Sequence, residues 1–241
     1  MQNFIESTLN AGLQIALNLN SNKANLYEKH SRGAGGDISI GADLLSEGIL
    51  VEQLSAFGNI DSEEVGFVDN KKDCTIIIDP LDGSDNFLSH IPYYGASVAL
   101  REKGAETSSV GIIMNFCNLS AVVSFEGQNY YGNLAGDFKS FGTNPPMNPP
   151  KCGIFEGAYR NPHICALLNE NNIKFRSLGA LALSLGLSEC VNFVLFDGKK
   201  RHYDFEAGFL IAKNLYKIER EKLVLISKDK QIFDKISKFL F

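Results

Sequence analysis

Apolar residues recur at helical spacing over residues 4–19 (Phe4, Leu9, Leu13, Leu17) and 42–57 (Leu45, Ile49, Leu54). This spacing predicts two amphipathic helices covering one face of a sheet. The period then shortens. Residues 75–78, Thr-Ile-Ile-Ile, have the β-branched bias of a buried strand. Residues 97–100, 111–116, 120–125 and 129–132 are short β-like runs separated by turn residues such as Gly104 and Glu126-Gly127, which predicts an antiparallel meander. Past residue 150, strand-like stretches at 153–157, 174–177 and 191–196 alternate with helical ones at 164–169 and 180–187, and another helical pattern covers 205–215. Such alternation predicts βαβ units and a partly parallel second sheet. Between the halves, Asn144-Pro145-Pro146-Met147-Asn148-Pro149-Pro150 interrupts all regular structure and reads as a linker. The expected division is an N-terminal α+β domain (1–143), the linker (144–150) and a C-terminal α/β domain (151–241).

Composition narrows this picture only slightly. A chain of 241 residues with 44% hydrophobic content buries a sizeable core, as one large or two intimate domains. Its net charge of −5 gives no bulk attraction for nucleic acid. The first residues, Met1 to Glu6, have neither a basic region nor a long apolar one, and no stretch reaches the roughly 18 apolar residues of a membrane span. A cytoplasmic protein without a membrane partner is expected. The five cysteines are an odd number without Cys-x-x-Cys spacing, which favours buried free thiols over zinc sites or disulfides.

The chemistry concentrates in residues 74–87, where an apolar strand runs into Asp79-Pro80-Leu81-Asp82-Gly83-Ser84-Asp85. Pro80 cannot donate to a ladder, so pairing is expected to stop where the acids begin, leaving them at the strand's carboxyl end. Asp79 and Asp82 are three residues apart across a bend set by Pro80 and Gly83, so their carboxylates can converge while the Leu81 carbonyl stays free. Such an oxygen set suits Mg²⁺; the alternative is a polar turn whose Asp caps the next helix. Asp61-Ser62-Glu63-Glu64 is either a second acidic strand end beside the first or a solvated loop. Asp204 opens the helical pattern at 205–215, as a third contributor or as an N-cap. Residues 28–36, rich in glycine, are either a plain loop or a segment that approaches the acids.

Together these segments resemble the lithium-sensitive, magnesium-dependent phosphatase superfamily of inositol monophosphatases, fructose-1,6-bisphosphatases and nucleotide bisphosphate phosphatases. Residues 79–84 fit its signature Asp-Pro-(Ile/Leu)-Asp-Gly-(Thr/Ser) completely, and Asn86-Phe87 extends the fit in the manner of the inositol monophosphatase branch. Glu63-Glu64 matches the family's Glu-Glu element. Asp204 matches the aspartate of its Trp-Asp-x-Ala-(Ala/Gly) element, with Tyr203 in place of the tryptophan. Asp43, within 36–43, falls on a family aspartate near the nucleophilic water. The resemblance covers most of residues 1–215; the last 25 or so have no clear counterpart, and the usual Gly-Gly after the Asp204 helix is missing.

The resemblance implies an α/β fold of the α+β type, a layered αβαβα sandwich with a mostly antiparallel first sheet and a mixed, partly parallel second sheet. It implies two or three Mg²⁺ ions, with Mn²⁺ a possible substitute. Glu63, Asp79 and the Leu81 carbonyl would hold the first, Asp79, Asp82 and Asp204 the second, and Glu63 with Glu64 a weaker third. A cation-activated water, oriented by the Ser84 hydroxyl and by Glu63 or Asp43, would attack phosphorus without a covalent enzyme intermediate. Gly83, Ser84, Asp85 and the backbone around Gly179 would meet the substrate, Ser84 serving equally as an N-cap. Asp197 would bond a substrate hydroxyl or simply form a turn. Lys199, Lys200 and Arg201 would meet a second phosphate or remain a solvated basic turn. The expected substrate is a small phosphorylated polyol or sugar. Alternatives are a fructose-1,6-bisphosphatase or dual-specificity enzyme, a 3′(2′),5′-bisphosphate nucleotidase, and a non-catalytic phosphate-ligand-binding regulator. The family also implies a homodimer and inhibition by millimolar Li⁺.

Overall fold

A computed structural model of the protein describes residues 1–21, 23–145 and 149–241. The first helical stretch becomes α1 (Gln2–Leu19), whose Phe4, Ile5, Leu9, Ile15 and Leu19 are buried along one stripe. A hairpin of β1 (Lys29–Arg32) and β2 (Ile38–Ile40) leads into α2 (Gly41–Leu54), which packs beside α1. Next come β3 (Asn59–Ser62), β4 (Gly66–Val68), β5 (Cys74–Asp82) and the short α3 (Ser84–Leu88). The meander is β6 (Gly95–Glu102), β7 (Val110–Asn115), β8 (Ser120–Phe125) and β9 (Gln128–Asn133). These strands form one sheet in the order β4-β3-β5-β6-β7-β8-β9, antiparallel except for the β3–β5 pair.

The C-terminal half supplies β10 (Gly153–Glu156), α4 (Pro162–Glu170), β11 (Phe175–Arg176), α5 (Leu181–Gly186), β12 (Val194–Asp197) and α6 (His202–Ile211). β13 (Tyr216–Glu219), β14 (Leu223–Ser227) and α7 (Lys230–Leu240) complete it. The second sheet runs β11-β10-β12-β14-β13, parallel over its first three strands and antiparallel thereafter.

Strand alternation produces the layering, because neighbouring side chains point to opposite faces. In β5, Ile76 and Ile78 join the core under α1 and α2, whereas Ile77 faces Leu183 of α5 and Ala207 and Ile211 of α6. In the second sheet, Val194 and Phe196 face α5 and α6, while Leu195 packs with Ile164 and Leu168 of α4 and Ile236 of α7. Five layers result: α1 and α2, the large sheet, α5 and α6, the second sheet, then α4 and α7. The αβαβα sandwich implied by the resemblance is the observed fold.

Three local expectations fail. Pairing does not stop at Pro80: β5 continues through Asp82, because the register runs Asp79↔Ser97 and then Asp82↔Gly95, leaving Pro80 and Leu81 in a bulge where a missing N–H costs no rung. The helical pattern of 205–215 is realised as 202–211, and the tail beyond it is regular structure, with Asp229 capping α7 by accepting from the Gln231 and Ile232 N–H groups. The five cysteines are free as expected but only half-buried. Of the expected linker, residues 146–148 lie outside the described residues, and 144, 145, 149 and 150 belong to no helix or strand. Among the described residues no helix is long and apolar enough to cross a membrane.

Candidate active site

The parallel β3–β5 ladder pairs Ser62 with Ile78, so Glu63, the first residue past β3, lies at the level of Asp79 within β5. The Glu63 N–H donates to the Ile78 carbonyl at 3.1 Å, which locks that level. Asp204 arrives from the first turn of α6, which packs across the face of β5 and β6. Glu63, Asp79 and Asp204, all buried, each offer a carboxylate oxygen within 4.8 Å of the others. Burial pushes the Glu63 carboxyl up to about 7 despite the nearby Arg201 charge, with Asp204 and Glu64 adding repulsion. Burial, then Glu63 and Asp82, also raise Asp79 well above the usual carboxylate range. Asp79 Oδ1 accepts from the Leu81 N–H at 3.1 Å, but Oδ2 is buried with no hydrogen-bond partner. An orphaned carboxylate oxygen beside two further acids is costly unless a proton or a cation joins it. The all-oxygen donor set and this vacant valence fit a hard divalent cation.

Arg201 meets the same acids. Its guanidinium donates to both oxygens of Asp204, at 3.0 and 3.1 Å, and its Nη1 donates to Asp37 at 2.9 Å and to Glu63. Burial opposes the Arg201 charge, but Asp204 and Glu63 outweigh it and raise its pKa.

The remaining candidates are distributed around this cluster. Asp82 is buried, and its two oxygens accept from the Leu181 and Leu183 N–H groups at 3.0 and 2.9 Å, so it binds the start of α5 to the end of β5. Desolvation first, then Asp204, raise its carboxyl well above the usual range. Glu64 accepts from the Ser39 hydroxyl, and burial raises its carboxyl. Asp43 accepts from the Ile40 N–H at 2.7 Å in a capping arrangement at the start of α2; burial pushes it up to about 7 against that bond, with Glu64, Asp85 and Glu47 adding repulsion.

A cleft of about 860 Å³ opens over the acids. Asp82, Gly83, Ser84, Asp85, Gly179, Arg201 and Asp204 all line it. Gly83 has φ +90°, and a Cβ there would sit 2.9 Å from the Tyr93 carbonyl, so this turn admits no other residue without a shift. Lys199 lines the cleft as well, but Lys200 turns away and donates to Glu219 at 2.7 Å and to the Arg220 carbonyl at 3.1 Å. Asp197 lines a neighbouring cavity of about 540 Å³, with Lys199, Lys200 and Lys222. An apolar cavity of about 510 Å³ bordered by Ile113, Val122, Tyr131 and Leu183 has no carboxylate in its wall.

Sequence reasoning gave no role to three residues here. Asp37 reaches Arg201 from the β1–β2 loop. Arg160, on the turn after β10, lines the cleft beside exposed Tyr159. Glu156 is buried and accepts from the Leu178 and Gly179 N–H groups and the Ser184 hydroxyl at 3.2, 2.9 and 2.7 Å, fixing the 177–179 wall. A lone acid ending the apolar run 153–157 is the signal that marks Glu156; Asp37 and Arg160 have none beyond their charge.

Comparison with known proteins agrees with the fold. A stretch of 69 residues is 42% identical to fructose-1,6-bisphosphatase of Pyrococcus furiosus, covering 28% of this chain and 27% of that one. Over 196 residues the chain is 28% identical to a fructose-1,6-bisphosphatase/inositol-1-monophosphatase of Thermococcus kodakarensis, covering 77% of this chain and 70% of the relative. The fold matches the crystal structure of the extragenic suppressor protein SuhB from Bartonella henselae with a TM-score of 0.78, at 18% identity, over 97% of this chain and 96% of that one. The inositol monophosphatase family matches residues 2–215. With residues 2–215 matched and its five-layered fold, the chain belongs to the inositol monophosphatase family.

Proposed function

We propose that the protein is a Mg²⁺-dependent phosphatase that hydrolyses a small phosphorylated polyol or sugar. The observation that carries this reading is the buried triad of Glu63, Asp79 and Asp204 with the unpartnered Asp79 Oδ2 beneath a cleft. Glu63, Asp79 and Asp204 would hold the principal cation, and Asp82, Glu64 and the Leu81 carbonyl border the space for further ions. When bound, divalent cations acidify water and neutralise charge on the leaving oxygen. The chain does the rest. The Ser84 hydroxyl would orient the attacking water, and a carboxylate, Glu63 or Asp43, would orient it and accept its proton. Gly83, Ser84 and Asp85 border the position of the phosphate, and the wall at Gly179, held by Glu156, borders that of the leaving group.

A bisphosphate substrate is the second reading, favoured by Arg160 and Lys199 on the rim of the cleft, where a distal phosphate would find two cations. Mn²⁺ as a substitute ion, inhibition by Li⁺, a homodimer and a cytoplasmic location complete the proposal by resemblance. The division into two domains at 144–150, read from the proline-rich run, is part of the proposal as well: one hydrophobic core spans residues 4–141 and another 155–236, while a third joins Ile77, Ala99 and Ile113 to Leu183, Ala207 and Ile211 across the boundary. The test is phosphate release from inositol-1-phosphate, fructose-1,6-bisphosphate and 3′-phosphoadenosine-5′-phosphate with and without Mg²⁺. Mg²⁺-dependent release from the first two is expected, and no release from any of the three would contradict the reading.

A further inference from the structure

One cation already stands among the acids, and it belongs to the chain. Arg201 immediately precedes α6, and its guanidinium joins three separate segments: Asp204 on α6, Glu63 at the end of β3, and Asp37 in the β1–β2 loop. Two of these three carboxylates belong to the triad that would hold the metal. The Asp37 side chain is 84% exposed, so burial does not force it into this contact. The loop it belongs to lies over the same acids: the Gly35 N–H donates to the Glu63 carbonyl at 2.6 Å and the Ala34 N–H to the Glu64 carbonyl at 3.0 Å. Side chains at Gly33 or Gly35 would collide with Glu64 and Glu63, so this loop is shaped to pack directly on them.

A guanidinium and a divalent cation compete for shared ground here. Each needs Glu63 and Asp204, and two positive centres held within a few ångströms repel strongly when partly desolvated. A single positive charge also leaves the site undercompensated, since Asp79 Oδ2 is without a partner. We propose that Arg201 is an internal counter-cation that latches the metal-free site: it neutralises Glu63 and Asp204, pins the Asp37 loop to α6, and must be displaced when a divalent cation binds. Once displaced it remains beside the cleft it already lines, as a cation available to a phosphate. Metal loading thereby releases the Asp37 contact, leaving the loop on its two backbone bonds to Glu63 and Glu64, and frees a phosphate-binding group in one event. This inference rests on the metal assignment of the proposed function.

The test compares metal-stripped wild type with Arg201→Ala, Arg201→Lys and Asp37→Asn. Calorimetric titration with MnCl₂ reads affinity, a thermal melt reads metal-free stability, and tryptic cleavage after Arg32 reads the loop. Arg201→Ala is expected to bind Mn²⁺ about tenfold tighter than wild type while its metal-free melting midpoint falls. Arg201→Ala and Asp37→Asn are both expected to be cut after Arg32 faster than wild type without metal. Should Arg201→Ala not fold, Arg201→Lys carries the test, with tighter Mn²⁺ binding than wild type expected because the compact ammonium cannot reproduce the fork. Equal or weaker Mn²⁺ binding in the arginine variants would overturn the latch and leave Arg201 a structural tie, with the metal site intact. Absence of Mn²⁺ binding in wild type and variants alike would overturn the latch and the metal assignment together.

Discussion

The floor of the cleft and its rim are built from different kinds of chain. The floor is strand: Asp82, which lines the cleft, ends β5 and bonds into α5, Glu63 follows β3 and Asp79 lies within β5 beside it, and none of these side chains is more than marginally exposed. The rim is turn: Tyr159, Arg160 and Lys199 hang from short connections of the second sheet, and Tyr159 is 82% exposed. The backbone beneath a floor carboxylate cannot move without breaking a ladder, whereas a rim side chain can change without disturbing the acids. Under the proposed function the difference would separate two decisions: the floor would set which bond is broken, and the rim which leaving group is admitted.

Substitution on the floor should have the largest effect. Asp79→Asn removes the carboxyl whose Oδ2 has no partner, so activity should fall by about three orders of magnitude or more while the metal-free melting midpoint holds or rises. Steady-state phosphate release and a thermal melt check both halves, and retained turnover at saturating Mg²⁺ would break the contrast.

The floor should also give the metal-free protein an unusual pH response. Asp43 and Glu63 rise in the folded chain from 3.8 and 4.5 to about 7, so between these limits the native state holds protons that the unfolded chain has released. The native state binds more protons there, so stability falls as pH rises. The metal-free melting midpoint should drop by about 5 °C or more between pH 5 and pH 8, and saturating Mg²⁺ should reverse the drop. A midpoint that climbs over this range would contradict the burial of Asp43 and Glu63 as the cause.

The rim should act on selectivity. Replacing Arg160 and Lys199 together by Ala should raise KM for fructose-1,6-bisphosphate about tenfold and change that for inositol-1-phosphate less than about twofold. Parallel kinetics on the two substrates sharpen or dissolve the distinction. The smallest effect belongs to Lys200, which points away to Glu219: Lys200→Ala should leave both substrates within about twofold of wild type, as expected of a partly exposed ion pair.

The same contrast governs what could be read from the sequence. The floor was legible because its elements are local: a β-branched run ending in Asp-Pro-Leu-Asp-Gly-Ser announces a strand end, and only the bulge that carries β5 past Pro80 escaped. The αβαβα layering came from the resemblance, and the periodicity agreed with it. Residues 216–240 were missed because the resemblance stops near 215, although Ile232, Phe233, Ile236, Phe239 and Leu240 behind Asp229 form a capped amphipathic pattern. The place of Arg201 was not legible at all. It read as part of a basic turn, and its partners Glu63 and Asp37 are 138 and 164 residues distant, so only the packing of α6 on β5 discloses the contact. Lys200 shows the converse, an adjacent and equally basic residue aimed elsewhere by one step of backbone.

The central claim is that Glu63, Asp79 and Asp204 hold a catalytic divalent cation. Anomalous diffraction from crystals equilibrated with Mn²⁺ tests it most directly. A peak about 2.2 Å from carboxylate oxygens of all three residues, with Arg201 withdrawn from Glu63, is the predicted result. Mn²⁺ bound elsewhere, with Arg201 still forked onto Asp204 and Glu63, would contradict it.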